Sequence, residues 1–296
     1  MPSERARELV RGAFDLHVHV APDVVERRID DVGLARRFLE VGLAGFVLKS
    51  HYTSTAERAR VVSAVVPEVR ALGAIALNRA VGGLNALAVE IAAREGARVV
   101  WLPTVDSINE AGELELKPGA TPPVWVRLQL ELRERGLPIE PIALDDVGLA
   151  AVLASVAAHG LVLATGHIGR EEVFAVVDSA LDAGIEHVVV THPDYPAQAF
   201  STEEQVELAR RGAWIERCFT TPHTGKVSWE QWLESTRAVG AERCFLSTDL
   251  GQIANRPVED GLPLLADRLL AAGFSEEDVR TMAVTNTRRI AGVKPA

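Results

Sequence analysis

A parallel (β/α)8 barrel of the TIM type is the fold this 296-residue sequence predicts, and three observations lead to it. Short runs rich in Val, Ile and Leu alternate with longer Ala/Leu/Arg/Glu segments of helical period, the pattern of βα units around a parallel sheet. Such runs occur eight times, and several are introduced by a glycine that closes the preceding helix. A single barrel takes roughly 250 residues, which nearly fills the chain as one domain over residues 1–296. In order, the expected strands are Phe14–Val20, Gly45–Ser50, Ala74–Asn78, Arg98–Pro103, Leu161–Thr165, His187–Thr191, Ala213–Cys218 and Cys244–Thr248. Glycine closures stand before the second, fourth, fifth, sixth and seventh, in EVGLAGFV, AREGARVV, AAHGLVLA, DAGIEHVV and RRGAWIER.

The spacing is even except between the fourth and fifth strands. There Val105–Asp146 reads as an insertion, with turn signals in PGATPPVW and GLPIEPIALDD and a possible short strand in GELELKP. Long insertions in compact domains commonly serve as lids or binding loops, so a hairpin over the barrel mouth with a role in substrate access is expected.

Composition removes several classes. The 41 acidic and 31 basic residues leave a net charge of −10, and no Lys/Arg-rich face stands out, which argues against a polyanionic partner such as nucleic acid. No apolar run approaches the roughly 20 residues that span a bilayer, and MPSERARELVRGAFDLHVHV has no signal-peptide pattern, so a cytoplasmic protein without a membrane partner is expected. Cys218 and Cys244 are too few for a disulfide framework and read as buried thiols. A homo-oligomer is compatible with the sequence, which does not specify one.

The strongest local signal is Asp15-Leu16-His17-Val18-His19, because residues two apart on a strand share a face and both imidazoles can meet one cation. His17 and His19 end the first expected strand, His167 follows LVLATG, His192 follows HVVVT, and Asp249 follows CFLST. In a parallel barrel the C-terminal strand ends form one rim, so these five residues converge as a candidate divalent-metal site for a small-molecule substrate. His/Asp sets accept zinc, manganese, iron or nickel.

Taken together, DLHVH, ATGH, VVTHPD and LSTDLG resemble the ordered strand-end motifs of the amidohydrolase superfamily, over about Phe14 to Ile290. The resemblance implies a distorted (β/α)8 barrel in which His17, His19, His167 and Asp249 surround a metal, with zinc the first expectation. His192 would be a second-metal ligand or would polarise substrate and water, and Asp249 would carry the proton. Two-metal members often have a carboxylated Lys or a Glu closing strand four. Here VVWLPTVD has neither, so one ion is favoured over two. The implied activity is hydrolysis of a small-molecule amide, lactone or cyclic C–N bond, with nonoxidative decarboxylation as the chief alternative.

Lys49, one of only four lysines, ends the second expected strand in VLKSHYT. It reads first as a contact for an anionic substrate group, with a carboxylated metal bridge or a rim ion pair as alternatives. His51 reads as a rim histidine or a substrate contact, Glu216 of WIERCF as a substrate or metal contact, and Asn78 as a hydrogen-bonding strand end. Glu171 reads as helix-dipole chemistry, and His159, His187 and His223 as structural. The order HVH, GLAGFVLKSHYT, THP, STD also resembles polymerase-and-histidinol-phosphatase barrels, which would make His51 a metal ligand for phosphoester hydrolysis. However, ALNRA lacks the Glu and STDLGQ the His that this pattern expects.

Overall fold

The computed structural model describes residues 1–110, 124–137 and 140–293. All eight expected strands are present: β1 (Phe14–Val18), β2 (Gly45–Leu48), β3 (Arg70–Ala76), β4 (Ala97–Trp101), β5 (Val162–Ala164), β6 (Val188–Val190), β7 (Trp214–Cys218) and β8 (Cys244–Ser247). They lie in sequence order in one parallel sheet, the order of a (β/α)8 barrel. A short α1 (Glu4–Leu9) precedes β1. The outer layer holds α2 (Asp31–Val41), α3 (Ala56–Val65), α4 (Ala86–Glu95), α5 (Val124–Glu134), α6 (Asp146–Ala158), α7 (Arg170–Asp182), α8 (Thr202–Arg211), the short α9 (Thr220–His223), α10 (Trp229–Val239) and α11 (Val258–Ala271).

Local chemistry explains the boundaries. Ser201 opens α8 with a capping box to Glu204, while Gly42 and Gly96 close α2 and α4 in the left-handed region, as their place before a strand predicts. β3 begins earlier than its hydrophobic run suggests because Gly73, which looks like a strand breaker, is an interior position. A Cβ there would overlap the backbone of Ala56, so the glycine lets α3 lie against the sheet.

Two apolar layers follow from strand alternation. Phe14, Leu16, Val47, Leu72, Val99, Trp101 and Phe245 fill the barrel, and Ile290 and Ala291 close its lower end. Leu34, Phe38, Phe46, Leu163, Trp232 and Leu265 belong to the layer between barrel and helices. The insertion after β4 carries α5 and a parallel bridge between Ser107 and Ile142; Gln129 Nε2 of α5 donates to Val105 O and Asp106 Oδ1, both at 2.8 Å, which anchors that helix to the start of the insertion. The possible strand GELELKP lies outside the described residues.

The joint between β8 and β1 is the part of the barrel that positions the site. Thr248 N and Oγ1 donate to Asp15 at 3.0 and 2.5 Å, Asp249 N donates to His17 O at 2.8 Å, and His19 N donates to Leu250 O at 2.8 Å. A register shift between Asp15 and Val18 interrupts the β1–β2 ladder, so Leu16 packs in the barrel interior while the next residue, His17, also turns inward onto Trp101. Gly251, with φ of 132°, passes directly over the His19 carbonyl, and a Cβ would overlap that oxygen. Gly251→Ala is therefore expected to destabilise the fold by about 2 kcal/mol or more, read as a lowered midpoint of thermal unfolding. An unchanged midpoint would show that this joint is slack.

Candidate active site

Five imidazoles form a closed ring at the C-terminal rim. Successive ring centroids are 5.4 Å apart from His17 to His19, 4.9 Å to His51, 6.1 Å to His167, 4.8 Å to His192 and 5.9 Å back to His17. Asp249 joins them from β8: its Oδ1 lies 3.3 Å from His17 Nε2 and 3.2 Å from His19 Nε2, and its Oδ2 accepts from Thr220 Oγ1 at 3.0 Å. These donor atoms of His17, His19 and Asp249 fall within 4.8 Å of one another. Lys49 Nζ is also here, 2.9 Å from His17 Nε2 and 5.0 Å from the centre of the Trp101 ring. His192 and Asp249 have φ of 25° and 53°, conformations that L residues seldom adopt, so the turns after β6 and β8 hold both functional side chains under backbone strain.

The surrounding hydrogen bonds assign the imidazole tautomers. His17 Nδ1 lies 2.9 Å from Glu216 Oε1, which can only accept, so the proton is on Nδ1 and the Nε2 lone pair faces Asp249 and Lys49. Gln198 Nε2 donates to Gly166 O at 3.0 Å, which turns its Oε1 toward His192 Nδ1 at 3.2 Å and again leaves Nε2 bare. That atom sits 3.2 Å from His167 Nε2. Glu110 Oε1 approaches His167 Nδ1 to 2.8 Å without hydrogen-bond alignment; burial pushes this carboxyl up to about 7, and in its ionised form it favours a proton on Nδ1. Two lone pairs would then face each other, a contact that only a proton or a cation relieves. His51 differs. Thr104 Oγ1 receives a hydrogen from Asn78 Nδ2 at 2.7 Å, and its own hydrogen has His51 Nδ1, at 2.8 Å, as its acceptor among the described residues. With the hydrogens assigned in this way, His51 presents Nε2–H to the cavity.

Burial sets the charge states. It holds His19, His51 and His167 well below the usual imidazole range and takes His192 down to about 3, so all four are neutral. It also pulls Lys49 below the usual ammonium range against the opposing pull of Asp249 and Glu216. For the carboxylates burial is the largest influence and acts upward, but the neighbouring groups together outweigh it: His17, His19 and His192 keep Asp249 well below its usual range, and His17, His192 and Lys49 hold Glu216 at about 2. Neutral imidazoles beside an ionised carboxylate form a donor set that fits a divalent first-row cation.

A cavity of about 560 Å3 opens above this ring. His19, Lys49, His51, His167, His192 and Asp249 line it, together with Trp125 and Arg127 of α5. Glu216 does not. Its oxygens accept from His17 Nδ1, His192 N at 2.9 Å and Ser247 Oγ at 2.9 Å, so it lies beneath the ring and orients two of its members rather than reaching substrate. Asn78 likewise braces the strand ends, its Nδ2 donating to His51 O and its Oδ1 accepting from Thr104 N, both at 2.8 Å. His159, His187, His223 and Glu171 are not in the cavity lining.

Sequence reasoning missed Tyr195, whose ring is 5.1 Å from that of His192, and the Arg27 and Lys226 cavity walls, because their loops carry no periodic signal. It also missed a buried pair behind the site, Arg217 Nη1 with Asp194 Oδ2 at 3.0 Å. A signal existed: alternation through WIERC puts Arg217 on the face opposite Glu216, inside the helical layer, where a charge requires a partner.

The chain belongs to a family of unknown function, DUF6282, whose model matches residues 12–216. No curated protein matches. Among solved structures, an amidohydrolase from Pseudomonas aeruginosa is 15% identical with a TM-score of 0.63, covering 97% of this chain and 99% of its own. An organophosphorus hydrolase from Deinococcus radiodurans is 18% identical with a TM-score of 0.57, over 96% and 93%. A putative 2-pyrone-4,6-dicarboxylic acid hydrolase from Pseudomonas putida is 14% identical with a TM-score of 0.60, over 96% and 99%. The barrel thus has the fold of the amidohydrolase superfamily. Among the described residues no helix is long and apolar enough to cross a membrane.

Arg217→Ala would leave Asp194 charged and buried, so a loss of about 3–5 kcal/mol is expected in denaturant unfolding. A loss below about 1 kcal/mol would mean that water or another group compensates the carboxylate.

Proposed function

We propose that this protein is a metal-dependent hydrolase acting on a small-molecule amide, lactone or cyclic C–N bond. The observation that carries the reading is the convergence of His17 Nε2, His19 Nε2 and Asp249 Oδ1 with the facing Nε2 atoms of His167 and His192 at the floor of one cavity. The names of the solved neighbours, an amidohydrolase, an organophosphorus hydrolase and a pyrone-dicarboxylic acid hydrolase, support hydrolysis of a small molecule.

His17, His19, His167, His192 and Asp249 would hold one divalent ion, with zinc preferred and two ions the alternative. When bound, such an ion supplies Lewis acidity and lowers the pKa of water toward neutrality. The other functions belong to the chain. Asp249, kept ionised and steadied by Thr220, accepts a proton from the attacking water and returns it to the leaving group. His51 Nε2–H donates to the oxyanion that develops on substrate. His192, expected either to bind a metal or to polarise substrate and water, is read here as a ligand, which its Nδ1 facing Gln198 Oε1 and its bare Nε2 support. Lys49 places an amine 2.9 Å from His17 Nε2, and the end of β4 offers neither Lys nor Glu as a bridging group, which together favour a single ion.

Elemental mass spectrometry on protein purified without chelator is expected to give about one ion per chain, absent from His17→Ala and His19→Ala and retained in His51→Ala. Two or three ions, with loss in His51→Ala, would instead favour the phosphoesterase reading. Once a substrate is found by screening lactones and cyclic amides, Asp249→Asn should abolish turnover, and His51→Ala should lower kcat by about 100-fold with metal unchanged. Release of CO2 would select decarboxylation. Because protons and metal compete for the same lone pairs, the lowered imidazole pKa values extend metal retention toward acid. Bound metal should stay constant from about pH 7.5 to about 5.5, although an ordinary imidazole, with a pKa of about 6.5, would be mostly protonated at the lower value. A release midpoint near 6.5 would contradict this.

A further inference from the structure

The cavity walls carry a charge opposite to that of the chain. The net charge is −10, yet Arg27, Arg127 and Lys226 line the cavity above the imidazole ring, and Lys49 lies at its floor, against the two acids Glu26 and Asp249. Asp249 faces His17 and His19, Asp23 pairs with Arg27, and Glu26 is the other acid among the described lining residues. Lysine is also scarce: of four in the sequence, both that fall in the described residues, Lys49 and Lys226, line this cavity.

Two of the wall cations are held in place. Arg27 closes Nε and Nη2 on a single oxygen of Asp23, each at 2.7 Å, and both side chains are largely buried. Its Nη1 takes no part in that contact, so the fork is oriented in advance while a donor edge remains for a second anion. Lys226 Nζ lies 3.9 Å from the centre of the Tyr195 ring, itself 5.1 Å from that of His192, which is among the contacts that place an ammonium on the wall that rises from the ring. Arg127 comes from α5, so the insertion after β4 contributes a charge as well as cover. A concave site with cations on several walls focuses a positive potential and favours anions over neutral molecules.

We infer that the substrate carries an oxyanion, a carboxylate or a phosphoryl group, on the part remote from the bond that reacts, and that Arg27, Lys226 and Arg127 receive it at the cavity walls. This deepens the hydrolase reading and moves anion recognition from Lys49, which is engaged with His17, to the mouth. Specificity for charged over neutral substrates then resides in two loops and helix α5, while the imidazole ring supplies the chemistry.

Isothermal titration with glutarate, its neutral counterpart glutaramide and inorganic phosphate tests this on the protein as purified. Glutarate or phosphate should bind at least tenfold more tightly than glutaramide, the tighter of the two showing whether a carboxylate or a phosphoryl group is preferred. Lys226→Met and Arg127→Gln, both at exposed positions, and Arg27→Gln should each weaken that binding by about tenfold with metal content unchanged. Anion binding that is unaltered in Lys226→Met and Arg127→Gln but lost in His19→Ala would overturn the inference, since the ligand would then depend on the metal site alone. Equal binding of glutarate and glutaramide would overturn it too. Protein that holds no metal as purified and takes up none from added zinc would sink the hydrolase reading, while weaker glutarate binding in Lys226→Met of that same protein would leave anion recognition standing.

Discussion

The joint between β8 and β1 is the constraint on which the rest of this molecule depends. A barrel must return its last strand to its first, and here the closing contacts are the hydrogen bonds from Thr248 to Asp15, from Asp249 N to His17 O and from His19 N to Leu250 O. The residues that close the barrel are therefore neighbours of the residues that make its chemistry. Asp15, which accepts three hydrogen bonds while buried, is pushed up to about 7 by desolvation. A carboxyl so placed is maintained by its donors, and removing them would open the joint and the site together.

The same coupling explains why strain is concentrated at this end. His192 and Asp249 both take positive φ directly after a strand, where the chain has to leave the sheet and still aim a side chain back over the barrel axis. Gly251 follows so that the backbone can cross His19 without a Cβ in the way. The cost is carried by the packed layers below, where Phe14, Trp101 and Phe245 fill the barrel and Arg217 with Asp194 braces the turn that holds His192.

The site divides into layers with different work. Glu216, Gln198, Thr104 and Asn78 never reach the cavity, yet they decide which imidazole nitrogens carry protons, and so which rings can bind a cation and which can donate. Neighbours that differ only in whether they accept or donate leave a bare Nε2 on His17 and His192 and a hydrogen on Nε2 of His51. Outside that layer, loops of unrelated sequence set the electrostatic character of the cavity walls.

Much of this was legible in the sequence because its signals are local. Eight Val/Ile/Leu runs with glycine closures require a parallel barrel, and once the strands are placed, His17, His19, His167, His192 and Asp249 must share its rim. The tertiary structure decided what depends on relative orientation. The register shift in β1 turns His17 inward beside Leu16, whereas strict alternation would separate them. Glu216 and Lys49 both sit near the site, but only contacts across the barrel show that one supports His17 from below while the other lies at the cavity floor. Tautomers, wall charges and the Arg217–Asp194 pair arise between segments far apart in the chain, and periodicity within a segment carries no information about partners it meets only after folding.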